Sequence, residues 1–172
     1  LKEYFAEGGE DLPSIFNMGV GLGSLAPSLM AGAVRKNVTQ MAKMFITGEN
    51  PKEALGVLVK SRQKGIGFTV DILGEATLSE KEALDYQAKY IELINWLAKD
   101  AETWAPHPTL DSDHRGAIPR VNVSVKLSSL YSQVKTQAWD KSKQVLKERL
   151  VPIFQLAKER NVFINLDMEH YG

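Results

Sequence analysis

The chain has no cysteine, which excludes disulfides and every thiolate metal site and fits a reducing compartment. It has no charge excess: 21 Lys and Arg balance 21 Asp and Glu, so composition gives no nucleic-acid footprint. No apolar run approaches the ~20 residues that cross a bilayer. The opening from Leu1 to Glu7 lacks the pattern of a secretory signal, and it starts without methionine, so the true N-terminus is expected upstream. Aromatics are few, at 8%. Trp96, Trp104 and Trp139 are scattered without basic interleaving, which argues against base stacking and for packing. There is no GxSxG motif and no Cys–His pair. Gly19-Val-Gly-Leu-Gly23 has neither a preceding strand nor a GK[ST] ending, so it does not read as a phosphate cradle.

What remains is an ordinary globular composition, 44% hydrophobic and 24% charged over 172 residues, enough for one domain with a substantial core. The first 66 residues read as helical. From Ser28 to Ile46, Val34, Val38, Met41 and Phe45 recur on one face at helical spacing. Asn50-Pro51-Lys52-Glu53 combines a cap, a first-turn proline and a glutamate three residues on, and opens a helix that Gly65-Ile66-Gly67 ends. Phe68–Leu73 is the first strand candidate. Ser79-Glu80-Lys81-Glu82 repeats the capping box and opens a helix to about Lys99, with Ala83, Tyr90, Ile94 and Leu97 inward. A polar connection over 101–119 leads to a second strand, Val121–Leu127. A third helix over 137–160 buries Leu146, Leu150, Ile153 and Ala157, and Pro152 is expected to kink or break it. Val162–Asp167 is the third strand.

Strands reached through helices imply a parallel sheet covered by helices, either doubly wound or a (βα)-barrel. Asp71, Lys126 and Asp167 all fall toward the C-terminal ends of their strands, the rim where barrel enzymes assemble their sites. The first strand leads into Leu73-Gly74-Glu75-Ala76-Thr77, which is no GxGxxG, so the α/β fold expected is a (βα)8 TIM-type barrel. A barrel needs eight strands in about 250 residues. The chain stops at Glu169-His170-Tyr171-Gly172 after the third, so it reads as the opening of a longer barrel.

Lys126 is either a solvated strand-end lysine or an ammonium aimed into the rim to pair with a ligand carboxylate or phosphate. Three charges converging on one rim require mutual pairing or a ligand, because isolated buried charges are costly. Asp71 reads as a loop cap or as pocket lining, with Glu75 placed to meet an arginine from elsewhere on the rim. Asp167-Met168-Glu169-His170 allows similar alternatives. No HExxH or facial triad accompanies His170, so no metal site is expected. His107 and His114 lie in the polar connection and are expected at the surface. Lys126 could instead form a Schiff base in another barrel enzyme, an aldolase or a lyase. A non-enzymatic helical scaffold would require Asp71, Lys126 and Asp167 to lie far apart.

Three stretches together carry a family resemblance: Gly67-Phe-Thr-Val-Asp-Ile-Leu-Gly-Glu-Ala76, Val123-Ser-Val-Lys-Leu-Ser-Ser-Leu-Tyr131 and Ile164-Asn-Leu-Asp-Met-Glu169. In this order and at these separations they resemble the first three strand ends of proline dehydrogenase, most closely the domain of that activity in bacterial bifunctional proline utilisation enzymes. The resemblance implies a (βα)8 barrel holding FAD, oxidation of L-proline to Δ1-pyrroline-5-carboxylate, and a membrane quinone as electron acceptor. It implies that Lys126 binds the substrate carboxylate, that Asp71 lines the active-site rim, and that Glu75 pairs with a late-barrel arginine to close the pocket. Asp167 would stand beside flavin and substrate, with Met168 near the flavin. Residues 1–66 would form the helical arm and lead-in helices, and 67–172 the first three strands. The remaining barrel segment would supply most FAD contacts, and an NAD-dependent glutamate semialdehyde dehydrogenase domain would lie beyond residue 172. A cytoplasmic enzyme in peripheral contact with the inner membrane follows from the same resemblance, with no nucleic-acid partner indicated.

Overall fold

The computed structural model describes residues 27–48, 50–74 and 77–168. The chain divides into two compact units, Leu1–Thr47 and Gly48–Gly172, described here separately. In the first, helix α1 (Pro27–Phe45) matches the expected apolar period, and Val34, Val38 and Met41 are exposed. The glycine-rich stretch over 19–23 lies outside the described residues.

The second unit begins with α2 (Pro51–Gln63). Its Asn50 cap accepts the Glu53 N–H at 3.0 Å and donates from its side-chain amide to Glu53 Oε1 at 2.8 Å, so Asn50 caps the helix and the Glu53 carboxylate braces the cap. The helix ends in a paired-bond stop, Gly65 N–H to Arg62 C=O at 2.9 Å and Ile66 N–H to Ser61 C=O at 3.0 Å. That geometry needs the left-handed backbone Gly65 adopts at φ 73°. Contact density therefore groups α2 with the strands, whereas the functional division expected at 66/67 follows from strand positions and belongs to the reading proposed below.

The strands β1 (Val70–Asp71), β4 (Val121–Lys126) and β5 (Val162–Asp167) form one parallel sheet in sequential order β1-β4-β5. Helix α3 (Glu80–Ala101) links β1 to β4, and α4 (Trp139–Glu159) links β4 to β5. The Ser79 hydroxyl caps α3 by accepting the Glu82 N–H at 3.2 Å. Ala83, Tyr90, Ile94 and Leu97 are fully buried, as their spacing predicts. Leu146, Ile153 and Ala157 of α4 join them in one core with Val121, Val123 and Val125, and Leu150 packs at its margin. Both helices therefore cover the same face of the sheet. Gln87 of α3 also donates to the Arg149 carbonyl of α4 at 2.8 Å.

Several details depart from the sequence reading. β1 pairs over two residues only, Val70 with Val123 and Asp71 with Ser124, although β4 extends past them at both ends. Phe68 leaves the ladder to meet the Trp104 ring edge-on, 5.8 Å between centroids. α4 passes through Pro152 without a break, and the proline is exposed. The 101–119 connection contains a small antiparallel hairpin, β2 (Ser112–Asp113) with β3 (Gly116–Ala117). Of the tryptophans, only Trp104 packs inside; Trp96 and Trp139 are 45% and 52% exposed, since they lie off the buried stripes of their helices.

Candidate functional site

Side chains alternate between the two faces of a strand, and partners in register share a face. Val70, Val123 and Ile164 therefore point into the helix-covered core, as do Val121, Val162 and Val125, while Leu166, on the same face at the strand end, stays 39% exposed. The other face carries Asp71 from β1, Asn122, Ser124 and Lys126 from β4, and Phe163, Asn165 and Asp167 from β5. Asn165 donates to the Ser124 hydroxyl across it at 3.2 Å. This face is far more polar than a sheet covered by a second helix layer can be.

Its C-terminal end gathers the three expected charges. Lys126 Nζ lies 2.8 Å from Asp167 Oδ2 and 3.2 Å from Asp71 Oδ2. The lysine side chain is 13% exposed, while the two carboxylates are 35% and 38% exposed. The ammonium is thus largely withdrawn from water and compensated by carboxylates that still face solvent, an arrangement that avoids a lone buried charge. Among the described residues two carboxylates share this ammonium, and both keep oxygen surface open to solvent.

A buried frame stands behind Lys126. Its backbone N–H donates to Tyr90 Oη at 3.1 Å, and its carbonyl accepts the Ser129 hydroxyl at 2.7 Å. Tyr90 and Ser129 have no exposed surface. Burial pushes the Tyr90 phenol up, and the Asp71 charge adds to that; hydrogen bonds from Ser129 and Lys126 and the lysine charge pull down without reversing it. Beside β1, Gly74 runs at φ 138° with the Tyr86 hydroxyl where any Cβ would stand, so the turn out of the strand requires glycine there.

Met168 follows Asp167 directly and is 70% exposed. An apolar side chain beside a half-open carboxylate suits the edge of a planar heteroaromatic group, so these two residues fit a flavin placed at this rim. Glu75, Glu169 and His170 lie outside the described residues. His107 is half-buried and His114 exposed. Among the described residues no His, Asp and Glu cluster forms a metal site.

The sequence reading missed Tyr90's hydroxyl, Ser129 and a second charge cluster. In that cluster Asp111 bridges Arg62 and Arg120, with Arg120 Nη2 at 3.2 Å, and accepts the His107 N–H at 2.9 Å. Arg62 also donates to the Ala105 carbonyl at 3.3 Å and stacks over the Trp104 ring. Arg120 donates to the Ala101 and Trp104 carbonyls at 3.1 and 2.9 Å. This knot ties the 101–120 connection to α2 and lies toward the N-terminal strand ends, away from Lys126.

Residues 54–172, more than half of the chain, match the family described as proline dehydrogenase. The chain belongs to the proline dehydrogenase family. It is similar to the crystal structure of proline utilization A (PutA) from Bdellovibrio bacteriovorus inactivated by N-propargylglycine, at 66% identity and a TM-score of 0.81, over 83% of this chain and 15% of that one. The bifunctional protein PutA of Klebsiella aerogenes is 29% identical over 148 residues, 86% of this chain and 10% of that protein. Proline dehydrogenase 1 of Bacillus subtilis subsp. natto is 27% identical over 131 residues, 76% of this chain and 35% of that protein. The chain thus spans about a tenth of the bifunctional relative's length and about a third of the shorter one's. No described helix is long and apolar enough to cross a membrane.

Proposed function

We propose that residues 67–172 are the first three strand–helix units of a proline dehydrogenase (βα)8 barrel, preceded by an arm and lead-in helices over 1–66. The remaining strands belong to the rest of a longer protein. The observation that carries this reading is Lys126 Nζ held between Asp71 and Asp167 on one rim, in a chain of this family. Sequential strand order and a polar inner face support the barrel: a doubly wound sheet would need that face apolar for its second helix layer.

In this reading Lys126 meets the carboxylate of L-proline. Asp71 holds the ammonium in place from one side and Asp167 from the other, so its position is set before substrate arrives. Glu75 closes the pocket with an arginine from the late barrel. Asp167 and Met168 would border FAD, which when bound supplies the hydride-accepting chemistry that turns proline into Δ1-pyrroline-5-carboxylate. The protein's own groups bind, orient and keep water from the reacting carbon. Two carboxylates this close favour the ammonium form of Lys126, the reverse of the free amine a Schiff-base enzyme requires. The reading extends to a membrane quinone as electron acceptor, a cytoplasmic enzyme touching the inner membrane, and an NAD-dependent glutamate semialdehyde dehydrogenase domain beyond residue 172.

N-propargylglycine, which inactivated the Bdellovibrio protein, carries a carboxylate beside a secondary amine as proline does, and the same inactivation is expected here. The test is the full-length protein: flavin absorbance, proline:dye oxidoreductase activity, and its loss on treatment with N-propargylglycine. A colourless, inactive protein whose Lys126 is trapped by borohydride with a carbonyl substrate would replace this reading with Schiff-base chemistry.

A further inference from the structure

The hydrogens around Lys126 can be counted. Ser129 has one hydroxyl hydrogen, and its oxygen lies 2.7 Å from the Lys126 carbonyl, which can only accept. That hydrogen is therefore committed. Ser129 Oγ and Tyr90 Oη approach each other to 3.5 Å, a contact at the outer edge of hydrogen-bonding distance. Tyr90 Oη in turn accepts the Lys126 N–H at 3.1 Å. Two bonds, from Lys126 N–H to Tyr90 and from Ser129 to the Lys126 carbonyl, hold the residue, and the Tyr90–Ser129 contact closes them into a ring.

The place of this ring matters. Lys126 is the last residue of β4, at φ −82° and ψ 123°, and the chain turns into a 3-10 helix, Leu127–Ser129, immediately after it. A strand end is where backbone order fades, yet both polar backbone groups of this residue are held from α3 and from the turn. Neither Tyr90 nor Ser129 reaches the rim, being fully buried.

We propose that Tyr90 and Ser129 are positioning residues, a buried hydrogen-bond ring that fixes the Lys126 backbone and so aims its ammonium at the carboxylate of a small amino-acid substrate. The proposal rests on the reading of Lys126 as substrate anchor. Small displacements of a charged anchor are costly, because charge-assisted bonds depend on distance and angle together.

The experiment is a mutant cycle in the full-length, flavin-loaded protein. Tyr90→Phe and Ser129→Ala each remove one oxygen from the ring. Each is expected to lower kcat/KM for proline about 5- to 10-fold, chiefly through KM, with the flavin-to-protein absorbance ratio retained. The double variant should lose little more than either single one, since one break opens the ring. In a Lys126→Ala background neither change should alter kcat/KM further. A purely structural role would instead give equal losses with and without Lys126, and that result overturns the proposal. Unchanged kinetics in Y90F and S129A, with K126A impaired, overturns it while leaving Lys126 as anchor. Unchanged kinetics in K126A itself removes the anchor reading and the proposal with it. If Y90F does not fold, S129A opens the same ring and decides alone.

Discussion

Lys126 and Asp167 are register partners across a parallel strand pair, and their side chains meet at 2.8 Å. The pairing of the strands and the assembly of the site are thus one event. A slip of one residue in β5 would turn Asp167 to the helix-covered face and bring Leu166 to the rim. The valine and isoleucine stripe that fills the core forbids that slip, so the apolar face of the sheet holds the polar one in register. Asp71 is added by the same logic, through the pairing of Val70 with Val123.

Replacing the central cation should strike substrate capture. K126A in the full-length protein is predicted to lower kcat/KM for proline about 10- to 100-fold or more, because a charge-assisted contact of about 1.5–3 kcal/mol disappears. It also leaves Asp71 and Asp167 facing the pocket without their shared partner. FAD content should hold. Arginine restores charge without the point geometry, so K126R should rescue poorly. Steady-state kinetics with the flavin absorbance ratio measures both; kinetics equal to the unaltered protein would return Lys126 to an ordinary surface role.

Pro152 offers a prediction about stability alone. It sits exposed inside an unbroken α4, where its ring removes the bond its N–H would make to the Glu148 carbonyl. P152A is predicted to stabilise by about 1–2 kcal/mol, helix propensity outweighing the extra freedom of the unfolded chain. Thermal melting checks it, and a lower midpoint than the parent's would show that the proline ring is needed.

The strands and the rim were legible because their signals are local: capping boxes at Asn50 and Ser79, valine alternation over 121–125, and polar residues at three strand ends. The role proposed for Lys126 comes only from the family resemblance, since a strand-end lysine is ambiguous on its own. Other features depend on partners distant in sequence. Arg62 and Asp111 are 49 residues apart with no pattern linking them. Tyr90 reads as an apolar inward position, and its hydroxyl acquires meaning only when β4 brings Lys126 to it. The 112–117 hairpin had a local signal that was passed over: Asp113 accepts the Arg115 N–H at 2.7 Å, an aspartate turn closed by Gly116.

The isolated 172-residue chain should behave poorly. Among the described residues β5 pairs on one side only, with β4. An open edge of this kind templates pairing with another copy. Sedimentation is predicted to show self-association, and proline:dye assays no activity. A stable monomer that oxidises proline would contradict both this and the proposed need for further strands.

Asp111 gives the pH dependence. Burial alone would push its carboxyl up, but the Arg62 hydrogen bond, the His107 N–H and the charges of Arg62 and Arg120 outweigh burial and hold it below the ordinary aspartate range. A carboxyl whose folded pKa is depressed contributes stability that is present above the unfolded value, about 3.9, and lost as pH falls through the folded one. D111N keeps the shape and removes the charge, leaving two guanidinium groups without their anion. At neutral pH it should cost about 2 kcal/mol, between the cost of breaking an exposed pair and that of breaking a fully buried one, because the carboxylate and Arg120 are partly open to solvent. As pH falls below about 3.9, where the unfolded carboxyl takes up its proton, and on through the lower folded value, the parent loses this contribution and the difference between the two proteins should shrink. Other carboxylates titrate alike in both and cancel in that difference. Urea midpoints from about pH 7 down to about pH 3 measure it; a difference that stays constant or widens in acid would mean that Asp111 acts by shape and not by charge.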